Sequence, residues 1–193
     1  MVADPDQVYP AREDTLLLLE AALAEVRPSD RVLDLGTGSG YIARHLVGRA
    51  VFIIATDVNP HACRVAASPG VGVARADLTA GLRGHFDLIL FNPPYLPTKP
   101  GERINDWLEK ALDGGESGRD VIRRLLPDLP RVLAPGGRFL LVISEMTGVG
   151  EVLGLLRDAG FDAGIVRRDR VEGEDLVVVK AILSSRREGR NHA

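Results

Sequence analysis

Short apolar runs that alternate with helical patterns set the strongest limit on what this chain can fold into. Residues 31–35, 51–55, 71–74, 86–91 and 137–143 each read as a buried strand. Between and before them, apolar residues recur at helical spacing. These segments are 13–27, stopping before Pro28; 41–47; one opened by Asn59 as cap and Pro60 at the first helical position; 119–133, disturbed near Pro127 and Pro130; and 149–159, ended by Gly160. Two last strands, 161–168 and 176–183, are joined by a Glu-Gly-Glu turn. Alternation of this kind implies an α/β fold, a parallel sheet with helices on both faces. Ligands in such folds bind beyond the carboxyl ends of the strands. Chemistry is therefore expected in the turns that follow the strands.

The turn after the first strand is Asp34-Leu35-Gly36-Thr37-Gly38-Ser39-Gly40. Gly36, Gly38 and Gly40 let the backbone turn tightly and approach a ligand. The spacing is not that of a dinucleotide-binding loop, and no Gly-Lys-Ser/Thr follows to cradle phosphate. Asp34 would repel a pyrophosphate but suits a cationic ligand end such as an ammonium. Asp57 closes the second strand, where a carboxylate can accept both hydroxyl protons of a ribose. Asp77, after the third strand, can receive the exocyclic amino group of adenine, with Val58 and Leu78 flanking the ring. An ammonium site, a diol site and an adenine site together describe S-adenosyl-L-methionine.

After the fourth strand comes Asn92-Pro93-Pro94-Tyr95. Each proline fixes φ and pushes the preceding residue to extended geometry, so the loop is rigid. The Asn92 side-chain oxygen and the Pro93 carbonyl can accept the two N–H protons of a planar nitrogen. Pro94 and Tyr95 then wall the planar group. A delocalised nitrogen is a poor nucleophile, and holding its two protons lets its lone pair face a methyl donor at about 3–3.5 Å. No general base is required before attack. His45, His61, His85 and His192 are therefore read as surface or packing residues, and Cys63 as core. Residues 96–117 have little periodicity and read as a long loop or lid.

With 193 residues the chain reads as one catalytic domain, 1–183, with an N-terminal helical segment over 8–28 and a mobile tail over 184–193. A net charge of −3 gives no global attraction to nucleic acid. One cysteine excludes an internal disulfide and a cysteine-rich zinc site, and no metal site is expected. The N-terminus lacks a basic and apolar leader, and the leucines at 16–19 are too few to span a bilayer, so a cytoplasmic protein without a membrane partner is expected.

These residues resemble the class I S-adenosylmethionine-dependent methyltransferases with an Asn-Pro-Pro-Tyr motif, and more closely the short form of the HemK/PrmC-type protein-glutamine methyltransferases. Val8-Tyr9-Pro10-Ala11-Arg12-Glu13-Asp14-Thr15 is similar to the short form's N-terminal signature, with alanine at 11 where proline is usual. Gly114-Gly115 followed by Gly118-Arg119 is similar to a stretch that precedes the helix after the lid. The resemblance implies a Rossmann-like sheet of seven strands, mostly parallel with one antiparallel strand. It implies that Thr15 lies beside the cofactor's methionine end. It implies N-methylation of a glutamine in a class I release factor, with S-adenosyl-L-homocysteine as product. A small zinc-binding activator subunit is an implied partner, adding a strand along 71–75. Relatives with the same tetrapeptide methylate adenine or cytosine amino groups of RNA or DNA, or protein lysine. The acidic chain and the lack of a target-recognition domain favour protein.

Overall fold

The structure is a computed structural model and describes residues 3–99, 101, 106–171 and 173–184. Residues 185–193 of the expected tail, and 100 and 102–105 of the expected lid, lie outside the described residues.

Seven strands form one sheet in the order β3-β2-β1-β4-β5-β7-β6. They are β1 (Arg31–Leu35), β2 (Phe52–Asp57), β3 (Gly72–Arg75), β4 (Phe86–Phe91), β5 (Leu133–Ser144), β6 (Phe161–Val171) and β7 (Glu174–Leu183). The first five run parallel, and β7 lies antiparallel between β5 and β6. The central strands β1 and β4 are apolar nearly throughout because both their faces are covered. Helices α1 (Glu13–Glu25) and α2 (Tyr41–His45) pack on one face, through Leu18, Ala22, Ala43 and Leu46 against Val32, Leu88 and Leu140. On the other face, α5 (Asp120–Leu125), α6 (Leu129–Val132) and α7 (Val149–Asp158) bury Ile122, Leu129 and Leu156 against Leu33, Ile89 and Phe139. The remaining α-helices among the described residues are α3 (Pro60–Ala66) and α4 (Trp107–Lys110).

Local signals decide several boundaries. Asn59 caps α3, its side chain accepting the His61 N–H at 2.9 Å, with Pro60 in the first turn. The helix expected over 119–133 is two short helices, because Pro127 cannot continue α5 and Pro130 opens α6. The fifth strand begins at Leu133, not at 137. Leu133 pairs with Phe86 and Arg138 with Leu88, so Ala134-Pro135-Gly136-Gly137 bulges out between them.

Below the sheet, away from the strands' carboxyl ends, a buried ion cluster holds α1 in place. Arg138 of β5 pairs with Asp30 and lies 3.7 Å from Glu25, which also takes Lys180 of β7 at 2.7 Å. Helix α1 is therefore clamped at its far end, and its first turn is held at the other edge of the sheet, where the strands end.

Candidate active site

A cavity of about 1080 Å³ opens at the carboxyl ends of β1, β2 and β4. It is lined by Thr15, Asp34, Gly36, Gly38, Asp57, Val58, Asp77, Leu78, Asn92, Pro93, Pro94 and Tyr95, so the structure brings together the expected site residues with one exception. That exception is Gly40. It is buried, and a Cβ there would lie 2.6 Å from the Ala66 Cα. With φ at +76°, Gly40 lets α2 start against α3, and its small size serves helix packing, not the approach of a ligand.

At the β1 end, Asp34 is almost fully buried. Its Oδ2 accepts the Thr37 hydroxyl at 2.6 Å and the Ala43 N–H at 3.2 Å. Burial pushes its carboxyl up to about 6 against the pull of those two donors. Asp57 is braced in the same way, Oδ2 by the Gly38 N–H at 2.9 Å and Oδ1 by the Asn59 N–H at 2.8 Å, and burial likewise raises it. One carboxylate thus fixes the glycine loop from the neighbouring strand. Thr56, beside it, has a buried hydroxyl with no partner among the described residues and lines the same cavity. A buried carboxylate suited to a cation and a second set against a polar ligand fit S-adenosylmethionine.

Asp77 differs from expectation. Its Oδ2 is 2.6 Å from Arg124 and its side chain is more than half exposed, so it reaches the cavity as half of an ion pair. The following loop is fastened to α6. The Arg131 guanidinium and then the Thr79 hydroxyl hold the Asp128 carboxyl at about 2, and Arg131 also donates to the Thr79 and Leu82 carbonyls at 3.1 and 2.8 Å. This clamp sets Leu78 against the cavity with φ at +52°, a strained conformation for a branched side chain.

At the β4 end, residues far apart in sequence meet at Asp14. Its Oδ2 accepts the Tyr9 hydroxyl at 3.1 Å and the Tyr95 hydroxyl at 3.0 Å. Its Oδ1 accepts the Thr15 N–H at 2.6 Å and the Thr15 hydroxyl at 3.2 Å. Burial, and then the Asp14 charge, push both phenols well above their ordinary range, so they remain donors. Because Thr15 gives its proton to Asp14, its oxygen is left to accept the Asn92 Nδ2–H at 3.4 Å. The Asn92 amide is thereby oriented with its Oδ1 left over. Tyr95 is consequently not a loose wall but a fixed one. Its carbonyl takes the Thr147 hydroxyl at 3.2 Å, and Gly118 passes so close that a Cβ would lie 2.4 Å from that oxygen.

The segment before the first helix covers the glycine loop. The Asp4 N–H donates to His61 Nδ1 at 2.9 Å, the Asn59 amide to the Gln7 carbonyl at 2.8 Å, and the Trp107 N–H to Gln7 Oε1 at 3.3 Å. His61 therefore ties this strap to α3, and His45 stacks on Tyr41. Cys63 is only partly buried, its Sγ 3.4 Å from the Asp57 carbonyl. Among the described residues no group of three or more His, Cys, Asp or Glu side chains could hold a metal ion, and no helix is long and apolar enough to cross a membrane.

Sequence reading placed the strand-end residues and missed the cross-links. Asp14 and Tyr9 stood inside the N-terminal signature, yet nothing local told that their partner was Tyr95. Glu174, at the start of β7, also lines the cavity and had no signal in its neighbourhood.

The sheet order, with its single antiparallel strand, and a ligand cavity over β1 and β4 define a Rossmann-like class I methyltransferase. Residues 13–106 match the family model for the methyltransferase small domain. The chain is 37% identical over 182 residues, 91% of each chain, to a putative protein N5-glutamine methyltransferase of Methanocaldococcus jannaschii. It is 33% identical to the human methyltransferase HEMK2, over 90% of this chain and 88% of that one. It superposes with a TM-score of 0.78, at 31% identity, on the methyltransferase of the E. cuniculi Mtq2–Trm112 complex, responsible for methylation of the eRF1 translation termination factor, covering 92% of this chain and 99% of that one. This chain belongs to the HemK-type methyltransferase family, whose members depend on S-adenosylmethionine.

Proposed function

We propose that this protein transfers a methyl group from S-adenosyl-L-methionine to the side-chain amide nitrogen of a glutamine in a class I peptide-chain release factor. The observation that carries this reading is the chain of hydrogen bonds from Asp14 through Thr15 to Asn92. With its Nδ2 given to Thr15, Asn92 Oδ1 would serve as an acceptor, next to the rigid Pro93 carbonyl, for the two protons of one planar amide nitrogen. S-adenosylmethionine supplies the methyl as an electrophile on a positively charged sulfur. Asp34 would hold its ammonium, Asp57 its ribose hydroxyls, and Val58 and Leu78 the faces of its adenine near Asp77. Thr15 stands between the two ends. Pro94 and Tyr95 exclude water from the acceptor, and the acceptor's proton becomes acidic only as the new N–C bond forms, so no base is held in wait.

A glutamine is favoured over a nucleobase by the charge of the cavity wall. It carries eight carboxylates against three cations, Arg12, Lys110 and Arg124. A polynucleotide needs the opposite balance, because its affinity comes largely from cations set against phosphates. The outer edge of β3 pairs with no strand among the described residues. A small zinc-binding activator that adds a strand there would complete the sheet, as a partner in the manner of strand addition. A release-factor substrate implies a cytoplasmic protein.

Labelled cofactor offered with a release factor, a histone tail and unmethylated RNA and DNA, with and without an activator, tests this reading. Label is expected in one glutamine of the release factor. Label in nucleic acid alone overturns it.

A further inference from the structure

The β6–β7 hairpin reaches past the rest of the sheet. Leu176 is level with Ser144, the last residue of β5, so Glu174 and Asp175 overhang the end where the cavity opens. Asp175 turns to Arg168 and Arg170, at 3.4 and 3.8 Å. Glu174 faces the cavity with its flanking neighbours Val171 and Leu176. Its Oε1 is buried and accepts no hydrogen bond among the described residues. A buried carboxylate oxygen without a donor is a rare and costly arrangement in a native fold. Three other carboxylates of the cavity wall, Asp14, Asp34 and Asp57, are each braced by two or more donors. Tyr95 and Val171 pack against the same apolar cluster as Leu176, which puts Glu174 on the Tyr95 side of the cavity.

We propose that Glu174 is a positioning residue for the acceptor polypeptide, taking a main-chain N–H beside the methylated residue on its carboxylate. Oε1 has no donor among the described residues, and a turn of the side chain toward the cavity lets the acceptor supply one. A main-chain N–H gives up one hydrogen bond with water to reach it, whereas a lysine or arginine head gives up its ionic hydration. With Asn92 holding the side-chain amide and Glu174 the backbone, the acceptor is gripped at two points, which fixes the angle at which its nitrogen meets the methyl.

This inference rests on the polypeptide acceptor proposed above. The test is steady-state transfer to a release factor by the full chain and two variants, with S-adenosylhomocysteine affinity measured by calorimetry. Glu174→Ala is expected to raise KM for the release factor about tenfold or more, with cofactor affinity unchanged. Glu174→Gln keeps an acceptor oxygen of the same reach and should restore KM to within about threefold of wild type. Unchanged KM in the alanine variant, or an equal loss of cofactor affinity, overturns the role. A glutamine variant as poor as alanine also overturns it, since charge and not an N–H acceptor would then be at work. If the wild-type chain leaves the release factor unlabelled, the proposed substrate fails instead, and that outcome is read before either variant is made.

Discussion

The two ends of the cavity are built in different ways. At the β1 end, Asp34, the glycine loop and Asp57 lie within 24 residues of one another and are joined by short bonds between neighbouring strands. At the β4 end, Asp14 meets Tyr95 across 81 residues with Tyr9 beside them, and Glu174 arrives from a hairpin near the other end of the chain. The first end is a local device. It needs two adjacent parallel strands and a tight turn, and any such pair provides it. The second end exists only once α1 is seated on the sheet. On the proposed assignment, donor binding and acceptor binding should separate on mutation, because no side-chain hydrogen bond among the described residues joins the β1 end to the Asp14 hub.

The sharpest way to break this division is Asn92→Ala. Turnover should fall about 10²-fold or more, in line with the loss of one preorganised hydrogen-bonding group, while calorimetry finds cofactor affinity intact. Near-normal turnover would remove Asn92 from the chemistry. Asp57→Ala should do the reverse, weakening cofactor affinity about ten- to a hundredfold through loss of charge-assisted hydrogen bonds, with the acceptor KM little changed.

A pH series probes the same end without mutation. Burial raises Asp34 to about 6, so below that pH the carboxyl is largely protonated in the ligand-free protein. A cationic ligand requires the ionised form, so its binding must expel a proton. Affinity should therefore drop about tenfold per pH unit on the acid side and level off above pH 6. Stability of the ligand-free fold has the opposite sign. A carboxyl with a raised folded pKa favours folding below its unfolded value of 3.8, and that contribution is lost as pH rises through about 6. An affinity flat across this range would show that Asp34 does not face the ammonium. The smallest effect is expected for Tyr95→Phe. It removes one of the donors to Asp14 and should cost about two- to tenfold in kcat/KM for the acceptor, with cofactor affinity unchanged. A larger loss in cofactor affinity than in acceptor use would join the two ends that the geometry separates.

Much of the fold was legible because strand and helix periods are local. The apolar runs of β1 and β4, the Asn59-Pro60 start of α3 and the breaks at Pro127 and Pro130 are each decided by a few consecutive residues. The start of β5 was misread because Pro135-Gly136-Gly137 looks like a turn, and only pairing with β4 shows it to be a bulge inside a strand. The candidate site divides along the same line. Asp34, Asp57 and Asn92 stand at strand ends, and the topology of an α/β sheet gathers strand ends at one edge whatever lies between them. Gly40 was read as a ligand-facing glycine because spacing cannot distinguish a residue that meets a ligand from one that meets the next helix.

The sequence by itself therefore determined the architecture, the edge of the sheet that carries the chemistry, and the kind of donor this edge can hold. Backbone period and turn chemistry act over a few residues, and no distant partner is needed to read them. The tertiary structure alone decided how the acceptor end is held. Asp14 reaches Tyr95 and, through Thr15, Asn92 from a helix whose far end Arg138, Asp30 and Glu25 lock to the sheet, and Asp77 meets Arg124 of α5 across 47 residues. Those are burial and ion-pair effects between segments distant in sequence, and they become visible only when the sheet brings the segments together.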